Sequence, residues 1–155
     1  MKYVSTRGEA KEASFEDILA SGTASDGGLF VPAVIPKLES VVIDDMKNLS
    51  YIEIAEIVIR PFVGDFLNKY ELQSIISDSY KIFEIDDVVQ IKDYEFGHVL
   101  ELFHGPTLAF KDVAMQLLGR FLNAASEKLG KKIVILGATS GDTGSAAIAA
   151  CQNFE

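Results

Sequence analysis

A lysine set between a bent loop and a helix is the first place where this sequence could do chemistry. The nonapeptide His104-Gly105-Pro106-Thr107-Leu108-Ala109-Phe110-Lys111-Asp112 joins an apolar, strand-like run (Val99 to Phe103) to a long amphipathic segment. Gly105 and Pro106 bend the loop, so Lys111 falls in the first turn of the next helix. A helix N-terminus favours anions and disfavours an ammonium. The neutral, nucleophilic amine that a Schiff-base lysine needs is therefore more available there. An ordinary solvated lysine accounts for the same local features.

A second candidate lies near the other end. Ile133-Val134-Ile135-Leu136 is a short, continuous apolar run, the pattern of a buried parallel strand. Gly137 to Thr143 turns the chain, and Gly144 to Ala150 begins a helix of small residues. Such junctions aim unpaired N–H groups at one spot and bind carboxylates or phosphates. Thr139, Ser140 and Thr143 add hydroxyl donors, although Ser140 or Asp142 could equally serve as a helix cap. No lysine lies between Gly137 and Ser145, so a Walker A loop is excluded. Gly137-x-x-x-Gly141-x-x-Gly144 comes closer to a dinucleotide fingerprint, which leaves Lys111 unexplained. His98 is expected to flank the strand, and His104 to shape the Lys111 loop rather than to titrate.

The elements that must position these residues can be read from periodicity and caps. Phe110, Val113, Ala114, Leu117, Leu118, Phe121, Leu122 and Ala125 recur at helical spacing, and Gly130 is a natural stop. Upstream, Lys2 to Thr6 reads as a short strand. Ser14 with Asp17 makes a capping pattern for a helix ending near Ser21-Gly22. Asp26-Gly27-Gly28 predicts a tight turn into Leu29-Phe30-Val31, and Pro32 and Pro36 keep the next segment extended. Tyr51 to Phe66 predicts a helix kinked or split near Arg60 by Pro61. A further helix is expected over Glu71 to Asp78, a short strand within Ile82 to Gln90, and a better one over Val99 to Phe103. The motifs that bear chemistry come after Asp93 to Gly97, so the boundary is placed there. Residues 1–95 form one domain, mostly helical, and residues 96–155 begin an α/β domain.

Composition bounds the function. The chain has 155 residues, 48% of them hydrophobic, with a formal net charge of −9. That charge argues against general binding of nucleic acid or anionic membranes. Cys151 is the one cysteine, which rules out an internal disulfide and a zinc cluster and suggests a buried helical thiol. With no long apolar run or hydrophobic leader, a cytoplasmic location is expected. A βα unit starting at Lys132 needs neighbouring strands, so its partners are expected from a part of the protein outside these residues.

The nonapeptide around Lys111 closely resembles the segment that carries the cofactor lysine in threonine synthases. Asp26-Gly27-Gly28-Leu29-Phe30-Val31-Pro32, Ala138-Thr139-Ser140-Gly141-Asp142-Thr143-Gly144 and the opening Tyr3-Val4-Ser5-Thr6-Arg7-Gly8 resemble the same family in the same order. The resemblance spans nearly the whole chain and implies a tryptophan-synthase-β-like domain (pyridoxal-phosphate fold type II) with parallel strands. It implies pyridoxal 5′-phosphate bound to Lys111 as a Schiff base. It also implies a substrate carboxylate held by Ser140, Gly141, Asp142 and Thr143, with Asp142 near the cofactor's 3′-oxygen. Related enzymes of the fold often carry Asn in place of Asp142. The implied reaction turns O-phosphohomoserine and water into threonine and phosphate, a step of threonine biosynthesis. These enzymes are considerably longer, so an N-terminal portion, inactive alone, is expected. The alternatives are another lyase of this fold, a dehydratase or phospholyase, and a dinucleotide-dependent oxidoreductase.

Overall fold

Ser14 and Ser50 show how local chemistry starts the helices. In the computed structural model, which describes residues 1–152 and Phe154, each of these serines closes a capping box. Ser14 pairs with Asp17 to open α1 (Phe15–Ser21), and Ser50 pairs with Glu53 to open α3 (Tyr51–Val63). Each box satisfies two N–H groups that the first turn leaves without partners. Asn68 and Glu71 exchange the equivalent pair of bonds ahead of α4 (Lys69–Tyr80).

The chain divides into two compact units, Met1–Gln73 and Ser74–Glu155. In the first, β1 (Tyr3–Ser5) pairs antiparallel with β2 (Phe30–Pro32), Tyr3 opposite Pro32 and Ser5 opposite Phe30. Asp26 holds the adjoining loops together. The Ser5 hydroxyl and the N–H groups of Gly28, Glu9 and Ala10 donate to its carboxylate over 2.7–3.0 Å. These bonds, the Ser5 one foremost, lower its pKa to about 2. Tyr3, Ala55, Val63, Leu67 and Leu72 are buried, and the Tyr3 hydroxyl donates to the Phe62 carbonyl at 2.8 Å.

Residues 33–39 form neither helix nor strand, and beyond them Ser40–Asp45 form a helix, α2, which the sequence pattern did not predict. One expectation for this unit changes. α3 runs as one helix through Pro61 instead of splitting at Arg60. Pro61 lies in the last turn, and the Arg60 guanidinium donates to the Leu67 and Asn68 carbonyls at 3.0 and 3.4 Å just beyond it. A proline that near the end forfeits little of the ladder.

In the second unit β3 (Gln90–Tyr94) and β4 (Gly97–Glu101) form an antiparallel hairpin, with Ile91 opposite Leu100 and Asp93 opposite His98. Turns and bends occupy Lys81 to Val89, so the strand expected there begins only at Gln90. The long helix is α5 (Asp112–Leu129), closed by Gly130 in the left-handed conformation at φ 59°, and it packs along α6 (Gly141–Cys151). A side chain at Gly119 would bring its Cβ within 2.8 Å of the Ala150 carbonyl oxygen, so only glycine allows this crossing.

The face of α5 that is buried departs from the apolar stripe. Phe121 and Ala125 are buried as expected, but so are Asp112, Gln116 and Gly119, while Phe110, Ala114 and Leu118 are exposed. The Ser79 hydroxyl donates to the Gln116 carbonyl at 3.3 Å, and that of Tyr80 to the Val113 carbonyl at 3.1 Å. These bonds set which face turns inward. The largest correction concerns Ile133–Leu136. Residues 131–140 form no strand, and Val134 and Leu136 are 81% and 98% exposed. A strand exists only through a neighbour's ladder, and among the described residues both sheets are antiparallel and lie elsewhere.

Candidate functional site

Lys111 is the N-cap residue of α5, one position ahead of the first helical residue. Its carbonyl accepts from the Met115 and Ala114 N–H groups at 2.9 and 3.2 Å, which ties its backbone to the helix. The side chain is half-buried, and its ammonium lies 4.5 Å from the centroid of the Phe110 ring. Such a cation–π contact contributes about 0.5–1 kcal/mol at an exposed site. Phe110 therefore accompanies the lysine at the surface and takes no part in the helix core.

The loop ahead of Lys111 is wound around Asp112. That carboxylate is fully buried, and it accepts from the Thr107 N–H at 2.8 Å and from the Thr107 hydroxyl at 2.9 Å. Gly105 presses against it, since a Cβ there would come within 2.4 Å of the Asp112 Cβ. Leu108 takes a left-handed φ of 59°, an uncommon conformation for a leucine. Sequence reasoning missed Asp112. The available signals were an acid in the first turn, where the macrodipole favours one, and a threonine five residues before it. His104 is buried beside the loop, its Nε2 3.2 Å from Glu101 Oε2 and its carbonyl accepting from the Glu84 N–H at 2.9 Å. His98 lies in the exposed hairpin, 2.6 Å from Asp93.

Ser140 occupies the N-cap of α6 without a side-chain cap bond, and Gly141, Asp142 and Thr143 form the first helical turn. The Gly144 N–H donates to the Ser140 carbonyl at 3.0 Å, so the N–H groups before it are the ones an α-helix leaves unpaired. Ser140, Gly141 and Asp142 are exposed and Thr143 half-buried. Thr139 and Thr143 line an apolar cavity of about 220 Å³, together with Met115 and Leu118 of α5. Thus Thr143 and the helix headed by Lys111 border the same space, while Ser140, Gly141, Asp142 and Lys111 itself stand outside its lining. Cys151 also lines it, unpaired and half-buried, and burial pushes its thiol pKa up.

A sequence profile described as threonine synthase N terminus matches residues 2–80, half of the chain. The chain belongs to the threonine synthase family. It is 48% identical to threonine synthase of Pseudomonas aeruginosa, over all of this chain and 33% of that protein. It is 41% identical to human threonine synthase-like 2, over 98% of this chain and 32% of that protein. Among solved structures, a threonine synthase from Brucella melitensis described as bound to pyridoxal phosphate matches 97% of this chain and 33% of its own. Its TM-score is 0.93 at 45% identity. The fold is thus the mixed helix-and-strand start of a threonine synthase, and the chain spans about a third of the length of these relatives. No described helix is long and apolar enough to cross a membrane.

The donor set fits the cofactor that this family resemblance implies. A primary amine at a helix head is the partner an aldehyde needs, and a second helix head with flanking hydroxyls suits a carboxylate.

Proposed function

We propose that this chain is the N-terminal part of a pyridoxal-phosphate-dependent threonine synthase. Such an enzyme is a carbon–oxygen lyase that converts O-phosphohomoserine and water into threonine and inorganic phosphate. The observation that carries the reading is Lys111 at the head of α5, in a fold that overlays a threonine synthase described as bound to pyridoxal phosphate. When bound, pyridoxal 5′-phosphate supplies an electron sink that lets carbon-bound protons leave the amino acid. Lys111 Nζ is its covalent anchor. The Lys111 amine would also serve as base and then acid at the substrate's carbon atoms. The N–H groups at the head of α6, with the Ser140 and Thr143 hydroxyls, grip the substrate carboxylate and fix the orientation of its α C–H. Gly141 leaves the backbone open to approach. Asp142 would help to hold the cofactor.

Residues 1–95 act in this reading as the N-terminal domain and residues 96–155 as the start of the catalytic domain. The family profile's match to residues 2–80 falls within the first of these. A cytoplasmic setting belongs to the same reading. The alternative reading is a dehydratase or phospholyase of the same fold.

Borohydride reduction with pyridoxal phosphate, followed by peptide mapping on the longest chain the gene encodes, tests the anchor. Label confined to Lys111 is expected. Paired assays on O-phosphohomoserine and on serine or threonine then separate the two readings. The 155-residue chain alone is expected to bind cofactor poorly and to form no threonine, since it spans a third of its relatives' length.

A further inference from the structure

Asp112 is a fully buried carboxylate with no ion pair among the described residues. Burying a carboxylate without a counter-ion is costly, and the dipole of one helix offsets only part of that cost. A leucine or alanine at the first position of α5 would avoid it and still continue the helix. The carboxylate instead gathers a strained loop. Both of its oxygens lie 2.9 Å from the Thr107 hydroxyl, and one lies 2.8 Å from the Thr107 N–H. Gly105 packs so close that no side chain fits there, and its carbonyl accepts from the N–H of Leu108, which is held left-handed. The Asp112 N–H in turn donates to the Ala109 carbonyl at 3.0 Å. Every one of these constraints ends within a few residues of Lys111. Lys111 itself, although it is the N-cap, makes no side-chain cap bond.

We propose that Asp112, through Thr107 and Gly105, is the positioning residue that fixes where the Lys111 amine is presented. This inference rests on Lys111 being the cofactor lysine, and it goes beyond that reading by naming the clasp that holds it. The clasp acts on geometry alone, and no proton is transferred through it. A lysine free to swing would meet the cofactor aldehyde with little preference over other surface lysines. Misplacement by about 1 Å costs such reactions up to about a hundredfold.

The test compares wild type, T107V, T107S and D112N in the longest chain the gene encodes. Each is treated with limiting pyridoxal phosphate, reduced with borohydride and mapped by mass spectrometry. The readout is the share of total lysine label found on Lys111, and the unfolding midpoint of each variant is measured alongside. T107V and D112N are expected to lower that share about tenfold or more. T107S, which keeps the hydroxyl, is expected to restore it whatever the change in midpoint. Loss of stability without loss of selectivity in T107V would leave the clasp a purely structural feature and overturn the proposal. Should D112N fail to fold, the T107V and T107S pair decides. Label scattered over many lysines in wild type would overturn the cofactor-lysine reading and the proposal together. Selectivity for Lys111 in wild type that persists in T107V overturns only the clasp.

Discussion

Lys111 and Asp112 are neighbours in sequence with opposite environments, one half-buried and one fully buried. Replacing Lys111 with alanine removes an amine whose one described side-chain contact is the Phe110 ring. The expected stability change is about 1 kcal/mol or less by urea unfolding, while borohydride-fixed cofactor disappears from the peptide that contains residue 111. Asp26 makes a different prediction. Its folded pKa of about 2 lies below the ordinary value of 3.8. Its contribution to stability is therefore complete above about pH 4 and is lost as pH falls towards 2. Urea midpoints of wild type and Asp26→Asn should differ by a constant amount above about pH 4 and converge between about pH 4 and 2. A gap that stays constant down to about pH 2 would show that Asp26 stays charged or plays no such part. That role of Asp26 does not show in local sequence. Asp26-Gly27-Gly28 reads as a turn, and the partners at Ser5, Glu9 and Ala10 lie well upstream in the chain.

At the scale of the elements, the Ser14 cap was the most legible feature. Ser14 with Asp17 and Ser50 with Glu53 close within a single turn, so their geometry depends on nothing distant. Ser14→Ala and Ser50→Ala should each cost about 1 kcal/mol in thermal or urea unfolding. The contact of α5 with α6 is another matter, because Gly119 reads as a mere weak spot in a helix. Gly119→Ala would set a methyl group 2.8 Å from the Ala150 carbonyl oxygen. A loss of about 1–3 kcal/mol is expected, despite alanine's better helix propensity. A gain in stability would mean that the two helices do not cross so closely. The Asn68 and Glu71 pair is equally local.

Across the whole molecule, the segment from Ile133 to Leu136 separates pattern from outcome. Its composition is that of a buried strand, yet Val134 and Leu136 face solvent. The double substitution Val134→Ser with Leu136→Ser should therefore change the stability of this chain by about 0.5 kcal/mol or less. A loss of several kcal/mol would show the segment packed after all. The sequence by itself determined the family through three ordered motifs, the cap of α1, the stop at Gly130 and the placing of Lys111 at a helix head. The cap, the stop and the helix head rest on contacts within a few residues, where chain connectivity supplies the partner. Tertiary structure alone decided which face of α5 is buried, that Asp112 gathers the lysine loop, and that an apolar run forms no strand. A helix face is chosen by what packs against it, and a strand needs the N–H and C=O groups of another segment. Periodicity records the chain's preference but carries no information about whether that neighbour is present.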